Sequence, residues 1–416
     1  MTRKSIYEIG EIPPLGVVPD RMHAALIRRE RYGQPSKAFA LEEVPVPPIK
    51  PTQVLVHMMA CGVNYNNIWA GMGRPIDVIA IRKKRGEPED YHIGGSEGSG
   101  VVWAVGSAVK GLKVGDPVVI SSCHWDESAP DIRLGADPIT SSTTSVWGYE
   151  DNGGGFAQFS AVEEYMCFPK PPRLTWEAAS CYMVSGATAY RQLTHWHPNV
   201  VRPGDPVLIW GGAGGLGSLA IQIARERGGI PIAVVSDQSK VDFCLALGAK
   251  AVINRNEFDH WGRLPDFDDT ERYAKWLAGV RKFNKHFWDV LGERRNPRIV
   301  FEHSGQATIP TSIFMVDNGG MVVICGGTSG YNGDVDLRFL WMRTKRLQGS
   351  HFASTGECLE ITRLVESGRI DPCLSLCAPF QEIAQIHQIM FENRHPPGNM
   401  AVLVNAPAQG LKELPR

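Results

Sequence analysis

From Met22 to about Ser185 the apolar positions fall in short runs, partly alternating with polar ones, and glycine or proline closes each run: QVLVHMMACG, GSGVVWAVG, VGDPVVIS and FAQFSAV. Runs of this length between turn residues predict strands, so this region reads as mainly β. In VGDPVV, residues 114–119, Gly-Asp-Pro makes a turn that feeds a strand, and PGDPVLIW repeats the device from Pro203. Beyond that second turn the pattern changes. PVLIW, GGAGGLG, SLAIQIARERGG and IPIAVVS read in order as strand, glycine loop, helix and strand. The alternation continues through LALGAKAVIN, RIVFEH and GGMVVICGG, which predicts a doubly wound parallel sheet. The tail, HPPGNMAVLVNAP, returns to a turn and one apolar strand. The expected class is α/β, with a β-rich domain over 1–185 and 373–416 and a cofactor domain over 186–372. Two stretches, 73–92 and 124–155, are long for loops in a compact enzyme, and such segments serve as lids or interfaces.

The 416 residues exceed what one hydrophobic core usually organises, in keeping with two domains. With 43% hydrophobic and 21% charged residues the chain is too apolar for disorder. Lys plus Arg (43) balance Asp plus Glu (44), so no overall field favours nucleic acid or an anionic membrane, and the expected partner is a small molecule. MTRKSIYEIGEIPPLG has no apolar run of signal-peptide length and no later run is long enough to span a bilayer, so the expected location is the cytoplasm. The nine cysteines are scattered without a CxxC pair, which argues against a disulfide framework or a zinc ribbon.

Gly212, Gly214 and Gly217 fit G-x-G-x-x-G between a strand and a helix. With Gly215 they let backbone N–H groups and a helix N-terminus approach a pyrophosphate, although a plain glycine-rich turn has the same letters. At the end of the next strand, where an NAD site places an acid, stands Ser236, with Lys240 four residues on and Arg255 in INRNEF. A hydroxyl and two cations suit a 2′-phosphate, so NADP(H) is favoured over NAD(H). Asp237 opposes that choice, and Lys240 is otherwise a solvated surface residue.

The remaining motifs resemble the medium-chain dehydrogenase/reductase superfamily, with a GroES-like β domain and a Rossmann domain. Its zinc alcohol dehydrogenases follow a cysteine with Asp-x-His and later have GHE. Here Cys61 is followed by GVNYNN, and GGSEGSG puts Ser96 in the histidine's place, so no metal is expected. NYNNIWA, WGYEDNGGGFAQF, GGAGGLGSLAIQ, INRNEFDHWG, DLRFLWMRTKRLQGSHFA and HPPGNMAVLV together resemble the crotonyl-CoA carboxylase/reductase family. That resemblance implies an NADPH-dependent enzyme that reduces an α,β-unsaturated acyl-CoA and captures carbon dioxide at the α carbon, and it implies a homotetramer. It also implies roles for Asn67 as the amide that holds carbon dioxide, His351 opposite it, and Phe156, whose backbone helps anchor the gas. The family's glutamate beside this phenylalanine is replaced by Ala157, and Glu150 is the nearest carboxylate in sequence. Lys282 and Arg338 are the family-like cations for coenzyme A, with RKKR at 82–85 as a further basic run.

Each of these residues has a plainer reading. Asn64, Asn66 and Asn67 also suit a turn, His351 a structural hydrogen bond, Phe156 a loop staple, and the cations surface ion pairs. Three other functions compete: a reductase that protonates the enolate, a zinc-free quinone reductase, and a non-catalytic NADPH-binding protein.

Overall fold

The computed structural model describes residues 3–414. The chain divides into two compact units, Met1–Val184 with Ala353–Arg416, and Ser185–Phe352. The first boundary lies one residue from the expected one. The return lies earlier than the expected 373, because the helix Thr355–Glu366 belongs to the first unit. There Thr362 Oγ1 accepts from the Tyr182 hydroxyl at 3.3 Å, and Arg173 donates to the Val365 carbonyl.

In the first unit the strand Gln53–Val63 is the hub. It pairs antiparallel with Gly98–Val105, with Phe159–Glu163 and with the late strand Asn399–Leu403. Ten of its eleven positions are buried, which is why QVLVHMMACGV reads as a run without strict alternation. The C-terminal strand therefore closes a sheet begun three hundred residues earlier in order of magnitude, and a buried amide pair pins it there: Gln158 Nε2 donates to Asn405 Oδ1 at 3.0 Å, and Asn405 Nδ2 donates to the Met58 carbonyl at 2.8 Å. The 73–92 stretch folds into a short helix, Val78–Lys84, that leads to the strand Tyr91–Ile93. Arg82 of the RKKR run is fully buried, bonded to Glu87, Glu89 and the Tyr91 carbonyl, so it is a structural residue.

The second unit is a six-stranded parallel sheet: β1 Pro206–Ile209, β2 Ile230–Val235, β3 Ala251–Asn254, β4 Ile299–Glu302, β5 Met321–Ile324 and β6 Arg346–Gly349. Their order is β3-β2-β1-β4-β5-β6, so the winding reverses between β1 and β4, where such sheets bind ligands. The crossover from β3 to β4 carries a helix the strand pattern did not announce, Thr270–Leu291. Its Tyr273, Trp276, Val280, Phe283, Phe287 and Leu291 form one buried stripe at helical spacing. Among the described residues no helix is long and apolar enough to cross a membrane.

Candidate active site

Strand Gln53–Val63 runs into the helix Tyr65–Met72 through Asn64. Asn64 holds the N-cap position but makes no side-chain cap bond, so the asparagines are not spent on the local turn. All three reach residues of GGSE, 94–97, or one another. Asn64 Nδ2 donates to Glu97 Oε1 at 2.6 Å, and Asn66 Nδ2 donates to Ser96 Oγ at 2.7 Å. Asn67 Oδ1 accepts from the Gly95 N–H at 2.8 Å, while its Nδ2 donates to Asn66 Oδ1 at 3.0 Å. The strap and the first helical turn are thus matched residue by residue, and Asn67 is fully buried.

Phe156 joins the same strap. Its N–H donates to the Gly94 carbonyl at 3.0 Å, and its own carbonyl accepts from the Ala25 N–H at 2.8 Å. The ring is fully buried, edge-on to Phe39 and to His387. Gly94 is required here, since a Cβ would stand 2.6 Å from Asn67 Oδ1 and 3.4 Å from the Phe156 ring. Gly95, at φ +96°, is doubly constrained, because a Cβ would also lie 2.8 Å from the Phe156 nitrogen.

The candidate carboxylates separate. Glu150 turns back on its own loop, with Oε2 accepting from the Val146 N–H at 3.0 Å, and burial raises its pKa. The acid bonded to the asparagine turn is Glu97, which the motif reading passed over. It is 1% exposed, its Oε2 accepts from the Val184 N–H at 2.8 Å, and burial pushes its pKa up to about 7. An acid inside the otherwise small-residue run GGSEGSG was the available signal. Ala157 is fully buried and bridges to Ala24.

Among the described residues no group of three or more His, Cys, Asp or Glu side chains gathers to hold a metal. Cys61, first residue of the motif, donates from Sγ to the Glu97 carbonyl at 2.8 Å, and burial drives its pKa far up, away from the thiolate a metal needs.

In the second unit Gly214 caps the helix Gly215–Glu226 with extended backbone. A Cβ on Gly217 would stand 2.3 Å from the Gly211 carbonyl oxygen, and one on Gly212 would stand 2.6 Å from the Ala233 Cβ. These are the close approaches of a tight turn between β1 and the helix, whose first-turn N–H groups, beginning with that of Gly215, have no acceptor within the helix. Ser236 and Arg255 follow the ends of the neighbouring strands β2 and β3, and Asn256 Nδ2 ties the two ends by donating to the Ser236 carbonyl at 2.6 Å. Lys240 stands in the turn after Ser236, half-buried. Asp237 caps that turn by accepting from the Ser239 N–H and hydroxyl at 2.8 and 2.6 Å, which lowers its pKa and occupies its carboxylate. Arg255 Nε is buried without a hydrogen-bond partner, a donor left for an anion. The residues therefore fit a dinucleotide carrying a 2′-phosphate.

His351 follows β6, with its ring 4.6 Å from that of Phe352. Although exposed at the surface of its own unit, it is crowded enough for desolvation, helped by the Arg191 cation, to lower its pKa. Lys282 is exposed, its ammonium 5.4 Å from the Phe258 ring centroid. Arg338 is already engaged: its guanidinium grips Asp336 through Nε at 3.0 Å and Nη2 at 2.6 Å, and lies 4.1 Å over Phe267. The two cations sit on different helices, each over its own ring.

Comparison with known proteins fits this geometry. The model of the alcohol dehydrogenase GroES-like domain matches residues 50–172, and that of the zinc-binding dehydrogenase matches 215–367. The chain is 49% identical over 410 residues to a crotonyl-CoA carboxylase/reductase of Cereibacter sphaeroides, covering 99% of this chain and 94% of that one. It belongs to the crotonyl-CoA carboxylase/reductase family. A solved structure of the family's AntE in complex with NADP is 66% identical, covers 97% of this chain and all (100%) of that one, and superposes with a TM-score of 0.94. The 2-octenoyl-CoA carboxylase reductase CinF, in complex with NADP and 2-octenoyl-CoA, is 38% identical over 95% of this chain and 90% of its own, with a TM-score of 0.86. Family membership also gives the two units their names, GroES-like and Rossmann, within the medium-chain dehydrogenase/reductase superfamily.

Proposed function

We propose that this chain catalyses the NADPH-dependent reductive carboxylation of an α,β-unsaturated acyl-CoA such as crotonyl-CoA, giving an alkylmalonyl-CoA such as ethylmalonyl-CoA. The observation that carries the reading is the locked amide of Asn67, held by Gly95 in a chain related to such enzymes over its whole length. Gly212, Gly214, Gly215 and Gly217 would hold the NADPH pyrophosphate, with Ser236, Lys240 and Arg255 at the 2′-phosphate, and the cofactor's chemistry there would be hydride donation to the substrate's β carbon. The resulting enolate reacts with CO2 in preference to a proton only where water and acids are kept from its α carbon. Its α carbon bonds to the carbon of CO2, and the negative charge moves from the thioester oxygen to the new carboxylate, so atoms and charge balance.

Carbon dioxide has no net charge, so it is captured by orientation and by exclusion of water. Asn67 suits that task. With Oδ1 taken by Gly95 and one Nδ2 proton by Asn66, its second Nδ2 proton remains to donate to a CO2 oxygen. An amide donates without being acidic enough to quench the carbanion. Phe156, whose backbone N–H and carbonyl are already spent on Gly94 and Ala25, packs a buried apolar ring beside the strap, and burial lowers the pKa of His351, which disfavours the imidazolium that would donate a proton to the enolate. Lys282 and Arg338 serve the phosphates of coenzyme A, Arg338 by exchanging part of its hold on Asp336. Glu150 is left to its own loop.

One observation favours a second reading, reduction with protonation: Ala157 stands where the family resemblance expects a carboxylate. The product decides between them. Incubation with crotonyl-CoA, NADPH, labelled bicarbonate and carbonic anhydrase is expected to give labelled ethylmalonyl-CoA, and butyryl-CoA alone would establish the second reading.

The chain works in the cytoplasm as a homotetramer in this proposal. Support for self-association comes from β6, an outer strand of its sheet with Leu347 exposed, and from Leu337, Trp341 and Met342, which are exposed on or beside the short helix before it. Light scattering of the purified protein tests the tetramer.

A further inference from the structure

Glu97 is a buried acid bonded to the asparagine turn, and the reaction above gives it no part. The groups that meet its carboxyl are neutral: the Asn64 amide on one oxygen, the Val184 N–H on the other, and the Met183 N–H. Gly62 makes room for it, since a Cβ there would stand 2.4 Å from Oε1. A buried acid satisfied only by neutral donors is expensive to keep, and an apolar side chain of similar volume would fill the same space at lower cost. What the carboxyl does that an apolar group would not is accept from both sides at once, tying the Asn64 amide on one oxygen to the Val184 and Met183 backbone N–H groups.

Asn64, Asn66 and Asn67 lie within one turn of chain, and Glu97, Ser96 and Gly95 meet them in matching order. Pairings in register are coupled, so fixing the Glu97 end limits the slip available at the Gly95 end. The Glu97 backbone adds a second tie, its carbonyl accepting from Cys61 Sγ.

We propose that Glu97 is a positioning residue for carbon dioxide capture: through Asn64 it sets the register of the 94–97 strap against the helix Tyr65–Met72, and thereby the aim of the Asn67 amide. The inference rests on the reductive carboxylation reading. Because it concerns capture alone, it separates two properties that a general loss of structure would change together, the fate of the enolate and the binding of NADPH.

The test uses full-length wild type, Glu97→Ala, Glu97→Gln and Asn64→Ala with crotonyl-CoA, NADPH, labelled bicarbonate and carbonic anhydrase. Glu97→Ala and Asn64→Ala are expected to lower the ratio of labelled ethylmalonyl-CoA to butyryl-CoA about tenfold and to raise the KM for CO2 by a similar factor, with NADPH affinity within about twofold of wild type. Glu97→Gln keeps an acceptor for Asn64 but turns a donor toward Val184, and is expected to fall between. A folded Glu97→Ala with the wild-type ratio and KM for CO2 overturns the proposal. Should that variant not fold, Asn64→Ala with the wild-type ratio overturns it equally. Butyryl-CoA alone from wild type defeats the carboxylation reading and this inference with it, whereas a carboxylating wild type with unresponsive variants defeats only this inference.

Discussion

The Gly95 N–H donates to Asn67 Oδ1 at 2.8 Å, and the glycine before it leaves no room for a side chain between that oxygen and the Phe156 ring. One backbone bond therefore decides which way the Asn67 amide faces. With its oxygen taken by Gly95 and one Nδ2 proton by Asn66 Oδ1, the amide keeps one Nδ2 proton, the one that the proposed capture of CO2 would use.

Gly94→Ala should disturb this directly. The new Cβ would begin 2.6 Å from Asn67 Oδ1, closer than packed atoms tolerate, and both neighbours are buried. Butyryl-CoA is expected to rise at the expense of ethylmalonyl-CoA by about tenfold, with NADPH still bound and oxidised. Mass spectrometry of the products, run beside an NADPH titration, checks it. An unchanged product ratio would mean that the amide does not orient the gas.

Cofactor choice should yield to charge. Replacing both Lys240 and Arg255 with Ala removes two cations beside Ser236, and charge-assisted bonds to phosphate contribute on the order of 1.5–3 kcal/mol each. NADPH affinity is expected to fall at least about tenfold while NADH affinity barely moves. Fluorescence titration with both nucleotides reads the difference, and equal losses for the two would place the 2′-phosphate elsewhere.

Acid should unfold the β-rich unit early. Burial pushes the pKa of His57 and His92 down to about 3 and that of His387 to about 4, against 6.5 for the free side chain. Below pH 6.5 the unfolded chain takes up protons that the folded chain refuses, so stability falls as pH drops from 6.5 toward 3. Above pH 6.5 these groups contribute no slope. His57 packs at a tilt against both Trp103 and Phe159 with neither ring nitrogen bonded, so His57→Phe is expected to flatten the acid limb of a melting-temperature profile while leaving the value at pH 8 equal or higher.

Gln158 offers a stability test away from the chemistry. Its amide accepts from the His23 N–H and donates to Asn405, linking an early strand, the central sheet and the C-terminal segment. Gln158→Ala leaves buried partners unsatisfied, and a loss of about 2–4 kcal/mol in urea unfolding is expected. A loss below about 0.5 kcal/mol would show that water replaces the amide readily.

The arrangement of strands and helices was legible where periodicity is local. β1, the glycine turn, its helix and β2 all fall where PVLIW, GGAGGLG, SLAIQIARERGG and IPIAVVS put them, because each depends on neighbours within about one turn or one strand. The long helix Thr270–Leu291 was less visible, since its stripe is interrupted by Lys and Arg on the other face. The return to the first unit was misjudged for a tertiary reason. Nothing within Thr355–Glu366 says which unit it will pack against; Tyr182 and Arg173, far away in the chain, decide that.

The same division runs through the site. By itself the sequence determined that asparagines replace metal ligands after Cys61, that a glycine fingerprint follows a strand, and that the cations after β2 and β3 suit a phosphorylated ribose, because residue type and spacing carry those facts. Only the tertiary structure decided that 94–97 lies against 64–67 residue by residue, that Glu97 and not Glu150 is bonded to that turn, and that Arg82 and Arg338 are already paired. Those outcomes depend on which backbone donors reach which oxygens across thirty or more residues in order of magnitude, and hydrogen-bond geometry of that range exists only once the sheets have closed.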